Sequence, residues 1–124
     1  MKKVVAIALL IPLFMACRKN TESKAEYNLG VALHENFEAD QVKLYIDNQT
    51  LFNGEVTTEH TLSLAKSIST TTTEGSHNIR VIVNGTIVAS DTFDQNGHLY
   101  VGVSYNKEVK KVSFQYSTKP FEYD

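Results

Sequence analysis

From residue 27 to the end of the chain, apolar residues recur at about every second position, and this alternation limits the fold more than any other feature. The stretch 27–33 alternates Tyr, Leu, Val and Leu with polar or small residues, as expected for a strand that buries one face. Further apolar sets occur at 42–46, 79–83, 99–105 and 109–116. Because no amphipathic helix of useful length can be drawn beyond residue 26, the sequence predicts an all-β domain.

Turn residues separate these sets at short intervals. Asn84-Gly85 stands between two apolar runs, and it predicts a hairpin because a type I′ turn needs positive φ at both central residues. A second turn is predicted at 47–49, since Asp and Asn tolerate left-handed backbone. The pair at 53–54, Asn-Gly, predicts a bulge or a further turn. Lys66 interrupts the apolar set at 62–68, which predicts an edge strand.

Seven to nine short strands of this kind predict a single antiparallel β-sandwich over 27–124, immunoglobulin-like, with an open barrel as the alternative. The terminal strand of this count is placed at Phe121 and Tyr123, beyond Pro120. The chain has no Trp, and its single Cys precedes the domain, so the Cys, Trp, Cys core of true immunoglobulin domains is missing. The length suffices for one core and is too short for two.

Two segments of this region share the rhythm of a known surface domain. Residues 42–47 read VKLYID and residues 74–81 read EGSHNIRV, a pairing that resembles the PEGA-type surface β-domain. Asn48 stands where that family usually has Gly, and its Pro-x-Gly-Ala start is missing. The resemblance covers under half of the domain and implies an exported β-sandwich.

The first sixteen residues have the features of a helical signal peptide. Lys2 and Lys3 precede an uncharged apolar run at 4–15, and polar residues begin at Arg18. The run is too short for a permanent membrane span, which needs about 20 apolar residues. Ala16 is the small residue that a signal peptidase prefers before its cut. Residues 1–16 are therefore expected to be removed on export.

Residues 13–17, Leu-Phe-Met-Ala-Cys, resemble the lipobox of bacterial lipoproteins, in the looser form found in Bacteroidota. Phe14 stands where that family prefers Leu. The resemblance implies that Cys17 is acylated and becomes the first residue of a protein anchored to membrane lipid. It also favours the outer membrane, since Arg18 is not an inner-membrane retention signal of the enterobacterial type. The alternative is an ordinary signal peptide that leaves Cys17 as a free thiol.

Residues 17–26 are predicted to be the lipidated cysteine and a flexible tether, because they are polar and without periodicity. Such a tether has a mean reach of about 15–20 Å. Removing Lys2 and Lys3 with the leader leaves 10 basic residues against 14 acidic ones, a net charge near −4. No basic run remains to neutralise phosphates, so nucleic acid is not an expected partner.

Neither a catalytic nor a cofactor site is predicted. The histidines at 34, 60, 77 and 98 have no His-x-His or His-Glu-x-x-His spacing, so no metal site is assigned. The loop 94–97, Asp-Gln-Asn-Gly, lacks the acidic positions of a calcium loop and is expected to be a plain turn. No nucleophile elbow or phosphate-binding glycine loop occurs.

Tyr45 and Tyr100 alternate away from the aliphatic sets of their strands, so both are predicted on an outward face, where tyrosines bind sugars or protein partners. The leading hypothesis is a membrane-anchored, non-enzymatic lipoprotein that binds an envelope partner or contributes to an envelope assembly. A glycan-binding accessory lipoprotein is the alternative. A small envelope enzyme or enzyme inhibitor is the second alternative.

Overall fold

The structure, a computed structural model, describes residues 24–122. These residues form eight strands: β1 (Glu26–Leu33), β2 (Asp40–Ile46), β3 (Gln49–Val56), β4 (Lys66–Thr73), β5 (Gly75–Val83), β6 (Ile87–Gln95), β7 (Leu99–Asn106) and β8 (Lys111–Ser117). Within this range no helix is long and apolar enough to cross a membrane. The predicted signal peptide, Cys17 and all but the last residues of the tether lie outside the described residues.

The strands form two four-stranded sheets, which confirms the predicted all-β sandwich. Sheet A has the order β4-β1-β7-β8, and sheet B has the order β3-β2-β5-β6. The inward residues of both sheets make one core, including Leu29, Val31, Leu44, Val81 and Val101, each at most 1% exposed. The period-two pattern of the sequence thus places one aliphatic face of each central strand in the core.

Two details of the topology differ from the prediction. The pair β1–β7 is parallel, with Leu29 beside Leu99, whereas all the other strand pairs within residues 24–122 are antiparallel. The strand order also departs from that of immunoglobulin domains, whose first strand pairs with the second in one sheet. Here β1 lies between β4 and β7. The immunoglobulin likeness is therefore confined to the two-layer architecture.

Both predicted hairpin turns form. Asp47 and Asn48 have φ values of 50° and 67°, and Asn84 and Gly85 have 53° and 74°. In the second turn the Thr86 N–H donates to the carbonyl that closes it, at 3.2 Å. Positive φ at both central positions matches the right-handed twist of the paired strands.

Three local predictions were wrong. Asn53 and Gly54 do not form a turn or a bulge but continue β3, because the turn at 47–48 already reverses the chain. The bulge in β3 lies at Leu51, the extra residue between the partners of Leu44 and Tyr45. Leu62 lies in a turn and is 39% exposed, so β4 begins only at Lys66. No strand follows β8 up to residue 122. Phe121 packs its ring edge-on against a histidine ring instead of pairing with a strand, and Tyr123 lies outside the described residues.

The connection between β1 and β2 is fixed by one buried hydroxyl. The Thr58 hydroxyl accepts from the Phe37 N–H at 3.0 Å and donates to the His34 carbonyl at 2.7 Å. Phe37 itself is 1% exposed and stacks on the ring of Tyr105 at 5.7 Å. Since an unpaired buried polar group costs about 1–3 kcal/mol, this threonine holds the connection firmly.

One long side of the sandwich is closed by side chains that join the two sheets. The Tyr116 hydroxyl of β8 donates to the Asp91 carboxylate of β6 at 2.7 Å, and its ring lies 6.0 Å from that of Phe93. Burial and the neighbouring carboxylate raise the pKa of Tyr116, so it remains a neutral donor. On the other long side, no side-chain hydrogen bond within residues 24–122 joins β3 to β4.

Candidate binding groove between strands β3 and β4

A groove of about 580 Å³ runs between the edge strand of sheet B and the edge strand of sheet A. We call it the β3–β4 groove. It is lined by Ile46 and Asp47, by residues 49–51 of β3, by residues 70–73 of β4, and by His77. The threonine run of β4 therefore supplies one wall, and the bulged segment of β3 supplies the other. Because β3 and β4 belong to different sheets, no ladder of main-chain hydrogen bonds spans the groove between these two strands.

The β4 wall follows from the register of β1 and β4. Ile68, Thr70 and Thr72 pair with the inward residues of β1 and are half-buried, whereas Ser69 and Thr71 point to solvent. The Thr72 hydroxyl bonds to the side-chain carbonyl of Gln95, which is only 1% exposed. A buried glutamine thus fixes the position of the threonine wall.

Sequence reasoning missed Gln95, which it placed in a turn. Its amide nitrogen also donates to the Asn28 carbonyl of β1 at 2.9 Å, so the side chain joins β6 to sheet A. The period-two pattern of β6 could have identified Gln95, because it follows the inward-facing Phe93 by two residues and therefore points to the same face. A polar residue at an inward position implies a buried hydrogen-bonding partner.

One end of the groove is closed by a histidine clamp, which consists of His77, Asp47 and Thr73. The His77 Nδ1 lies 2.5 Å from an Asp47 carboxylate oxygen, and its Nε2 lies 2.5 Å from the Thr73 carbonyl oxygen. The second Asp47 oxygen accepts from the Asn78 N–H at 2.9 Å. Thr73 belongs to sheet A, whereas His77 lies on β5 of sheet B and Asp47 lies in the turn between β2 and β3, so the clamp joins the two sheets.

The clamp shifts the titration of its two ionisable members. Burial alone would lower the pKa of His77, but the bond to the Thr73 carbonyl and the Asp47 carboxylate outweigh it and raise that pKa. Burial would raise the pKa of Asp47, but the bonds from His77 and the Asn78 N–H, with the charge of His77, lower it. Each partner thus favours the charged form of the other.

The other end of the groove carries a weaker contact between the same two edges. The Lys66 Nζ of β4 lies 5.7 Å from the centre of the Phe52 ring of β3. An exposed cation–π contact of this kind is worth about 0.5–1 kcal/mol. Lys66 and Phe52 lie beyond the residues that line the groove, so the open stretch between β3 and β4 extends from the clamp to this contact.

The groove is lined mainly by hydrogen-bonding side chains. In the part of the chain that the structure describes, no three His, Cys, Asp or Glu side chains converge to hold a metal ion. His77 lies in the groove, His34 contacts Phe121, His98 contacts Tyr27, and His60 lies in an exposed turn. Hydroxyls and a free strand edge are what the groove offers, and both serve hydrogen bonding to an extended chain.

The two tyrosines predicted as a binding face do not share a surface. Tyr45 lies on the outer face of sheet B, where the Arg80 guanidinium lies 4.6 Å from its ring centre. Tyr100 lies on the outer face of sheet A, and its ring packs over Gly30 so closely that a Cβ there would meet it at 2.8 Å. Because the two faces are opposite, one ligand of ordinary size cannot contact both rings.

No protein-family model matches the chain, and no curated protein is found to be related to it. The lipobox and PEGA-type resemblances therefore stay predictions from the sequence.

Proposed function

We propose that this chain is a lipid-anchored, non-enzymatic envelope protein that contributes to an envelope assembly through the edge of β4 and the β3–β4 groove. Acyl chains on Cys17 supply the anchor, and two or more chains give stable attachment where one is marginal. The domain then acts within the short reach of residues 17–25, and its partner lies at the same membrane.

The observation that carries this proposal is the unprotected edge of β4. From Ser67 to Thr73 this edge has no charge, no proline and no bulge, and alternate residues are exposed. Exposed edges of this kind template pairing with another strand, and from Ser67 to Thr73 β4 lacks the charges, prolines and bulges by which proteins usually blunt them. Its one charged residue, Lys66, lies at the start of the strand. Threonine is also a strong strand former, so the edge is preordered for an added strand.

The position of the tether agrees with this role. The Glu74 N–H donates to the Ala25 carbonyl at 2.8 Å, and Glu26 pairs with Thr73. The last residues of the tether therefore lie at the end of the groove that the histidine clamp closes. A domain tethered there keeps the groove close to its anchor.

The anchor is tested with the full-length chain in a bacterial host fed a labelled fatty acid. We expect label on the protein and retention in the membrane fraction, and we expect the Cys17→Ala variant to lose both. Membrane retention of the Cys17→Ala variant without label would refute the lipid anchor.

The binding surface is tested by placing a photo-crosslinking residue at Ser69, on the β4 edge, or at Ser113, an exposed serine of β8 on the same sheet. Irradiated membranes should give a crosslinked product from position 69 and little from position 113. Equal yields from the two positions would refute a specific role for β4.

A further inference from the structure

We propose that the partner of the β4 edge is β4 of a second copy of this chain, paired antiparallel about a two-fold axis at Thr70. The proposal deepens the proposed function and rests on it, since it names the strand that the open edge receives. The pairing joins two copies of sheet A into one continuous sheet, with β4 beside β4 at its centre.

The hydrogen bonds of β4 decide which residues face the open edge. The Glu74 N–H donates toward β1, to Ala25, so the even-numbered positions of β4 bond to β1. Because the direction alternates along an antiparallel strand, Ser67, Ser69 and Thr71 turn their N–H and C=O groups to the open edge. The Thr73 carbonyl, which accepts from His77 instead of from β1, agrees with this alternation.

Two copies can pair only if edge-facing residues oppose each other, and the axis at Thr70 meets that condition. It sets Ser69 against Thr71, and it sets Lys66 of each copy against Glu74 of the other. Opposite charges across an antiparallel pair stabilise it, as do threonine pairs. A shift of the axis by one position along the chain, to Ser69, puts Lys66 against Thr72 and removes the charge pair.

The other edges of the sandwich do not have this self-complementarity. On β8 the uncharged run is bounded by Lys111 at one end and is followed by Lys119 at the other, so antiparallel self-pairing brings like charges together. β6 carries Asp91 and Asp94 along its length. β3 is bulged at Leu51, which disturbs its ladder.

The tethers are compatible with this dimer. The two tethers leave the dimer at opposite ends of the paired β4 strands. Because a strand of eight residues is about 25 Å long, the starting points of the tethers are about 25 Å apart. Residues 17–25 span up to about 30 Å when extended. Both Cys17 residues therefore reach one bilayer when the paired strands lie parallel to it, and the interface is isologous and closed.

The experiment uses the full-length chain in membranes, with Thr70→Cys as the reporter. Its cysteines face each other across the axis, in a pair with Cα atoms about 4.5 Å apart, within the range that a disulfide accepts. Mild oxidation should give a disulfide-linked dimer. Thr92→Cys, on the exposed part of β6, is the matched control and should give none, as should the parent chain with Cys17 alone.

Charge reversal then tests the register in the Thr70→Cys background. Lys66→Glu and Glu74→Lys should each lower the dimer yield roughly tenfold, and the double variant should restore it, since the charge pairs lie between copies. Lys111→Glu makes the same charge change on β8 and should have no effect. A double variant that stays as weak as the single ones would overturn the register.

A Thr70→Cys chain that gives no dimer, or that links only to a protein of different mass, would overturn self-pairing. A photo-crosslink from Ser69 to another protein would in that case still support the proposed function. The two proposals therefore fail separately.

Discussion

Raising the pH is expected to weaken the histidine clamp at the end of the β3–β4 groove. Both ring nitrogens of His77 face oxygens that only accept, the Asp47 carboxylate and the Thr73 carbonyl, each at 2.5 Å. Only the protonated ring can donate to both. After loss of the proton, one nitrogen presents a lone pair to an oxygen, and one of the two hydrogen bonds is lost.

The sign and the size of the effect follow from the geometry. The folded pKa of His77 is raised, so its contribution to stability is complete below about pH 6.5 and is lost as the pH rises through the folded value. The pKa of Asp47 is lowered, so its contribution is present above about pH 4 and is lost as the pH falls through the folded value. A hydrogen bond to a charged group is worth about 1.5–3 kcal/mol, but Asp47 is 47% exposed, which reduces the expected loss to about 1 kcal/mol.

The measurement is urea unfolding at pH 6.0 and pH 8.5. Between these values the wild type should lose about 1 kcal/mol more stability than His77→Gln, which has no titrating ring in the clamp. Burial lowers the pKa of His34, so His34 makes stability increase as the pH rises. Because His34 is present in all the variants, the difference in pH dependence between the wild type and His77→Gln reports on His77 alone. His60→Gln, in an exposed turn outside the clamp, is the matched control for the loss of a histidine. Equal pH dependence in the wild type and His77→Gln would refute the clamp.

Three further predictions concern the sandwich around the groove. Thr58→Val should lower the free energy of unfolding by about 2–4 kcal/mol, because two main-chain groups lose their hydrogen-bonding partner. The Thr57 hydroxyl accepts from a main-chain N–H at an exposed site, so Thr57→Val should cost under about 1 kcal/mol, and urea titration compares the two variants. Gly102→Ala should cost about 1–3 kcal/mol by thermal unfolding, since its Cβ would lie 2.6 Å from the His34 ring, and an unchanged midpoint would contradict that contact. Tyr116→Phe should cost about 1 kcal/mol and speed amide exchange in β8, because the closed side of the sandwich loses its hydrogen bond; unchanged exchange would show that this bond does not hold the sheets together.

Local pattern was sufficient to predict the strands and the tight turns. The alternation in 27–33 and 99–105 and the turn at Asn84-Gly85 were confirmed, because side-chain period and turn conformation depend on neighbouring residues. The turn or bulge predicted at Asn53-Gly54 was wrong, and the cause is again local. Two turn signals stood close together, and the register that Asp47-Asn48 imposes on β3 left no place for the second.

The groove could not be predicted, because its members come together only through pairing over long distances. His77 and Asp47 are 30 positions apart, and Gln95 meets Thr72 across the two sheets. The strand order that creates the open side depends on which strands pair, and the sequence carries no local signal for that choice. The edge position of the threonine strand was predicted from Lys66 and is confirmed, but the open side between this strand and β3 was not visible in the sequence.

The position of β1 has a consequence for the order of folding. Sheet B assembles from neighbours in the chain, the hairpins β2–β3 and β5–β6, whereas β1 pairs only with β4 and with β7. A chain that emerges from its N-terminus onward therefore presents β1 first and its parallel partner some 70 residues later. We expect β1 to be among the last strands to find its neighbours, since such long loops must close before it gains any ladder contact. Until then β1 is an apolar strand without its ladder partners, and it is the segment of the domain most open to pairing with the wrong strand.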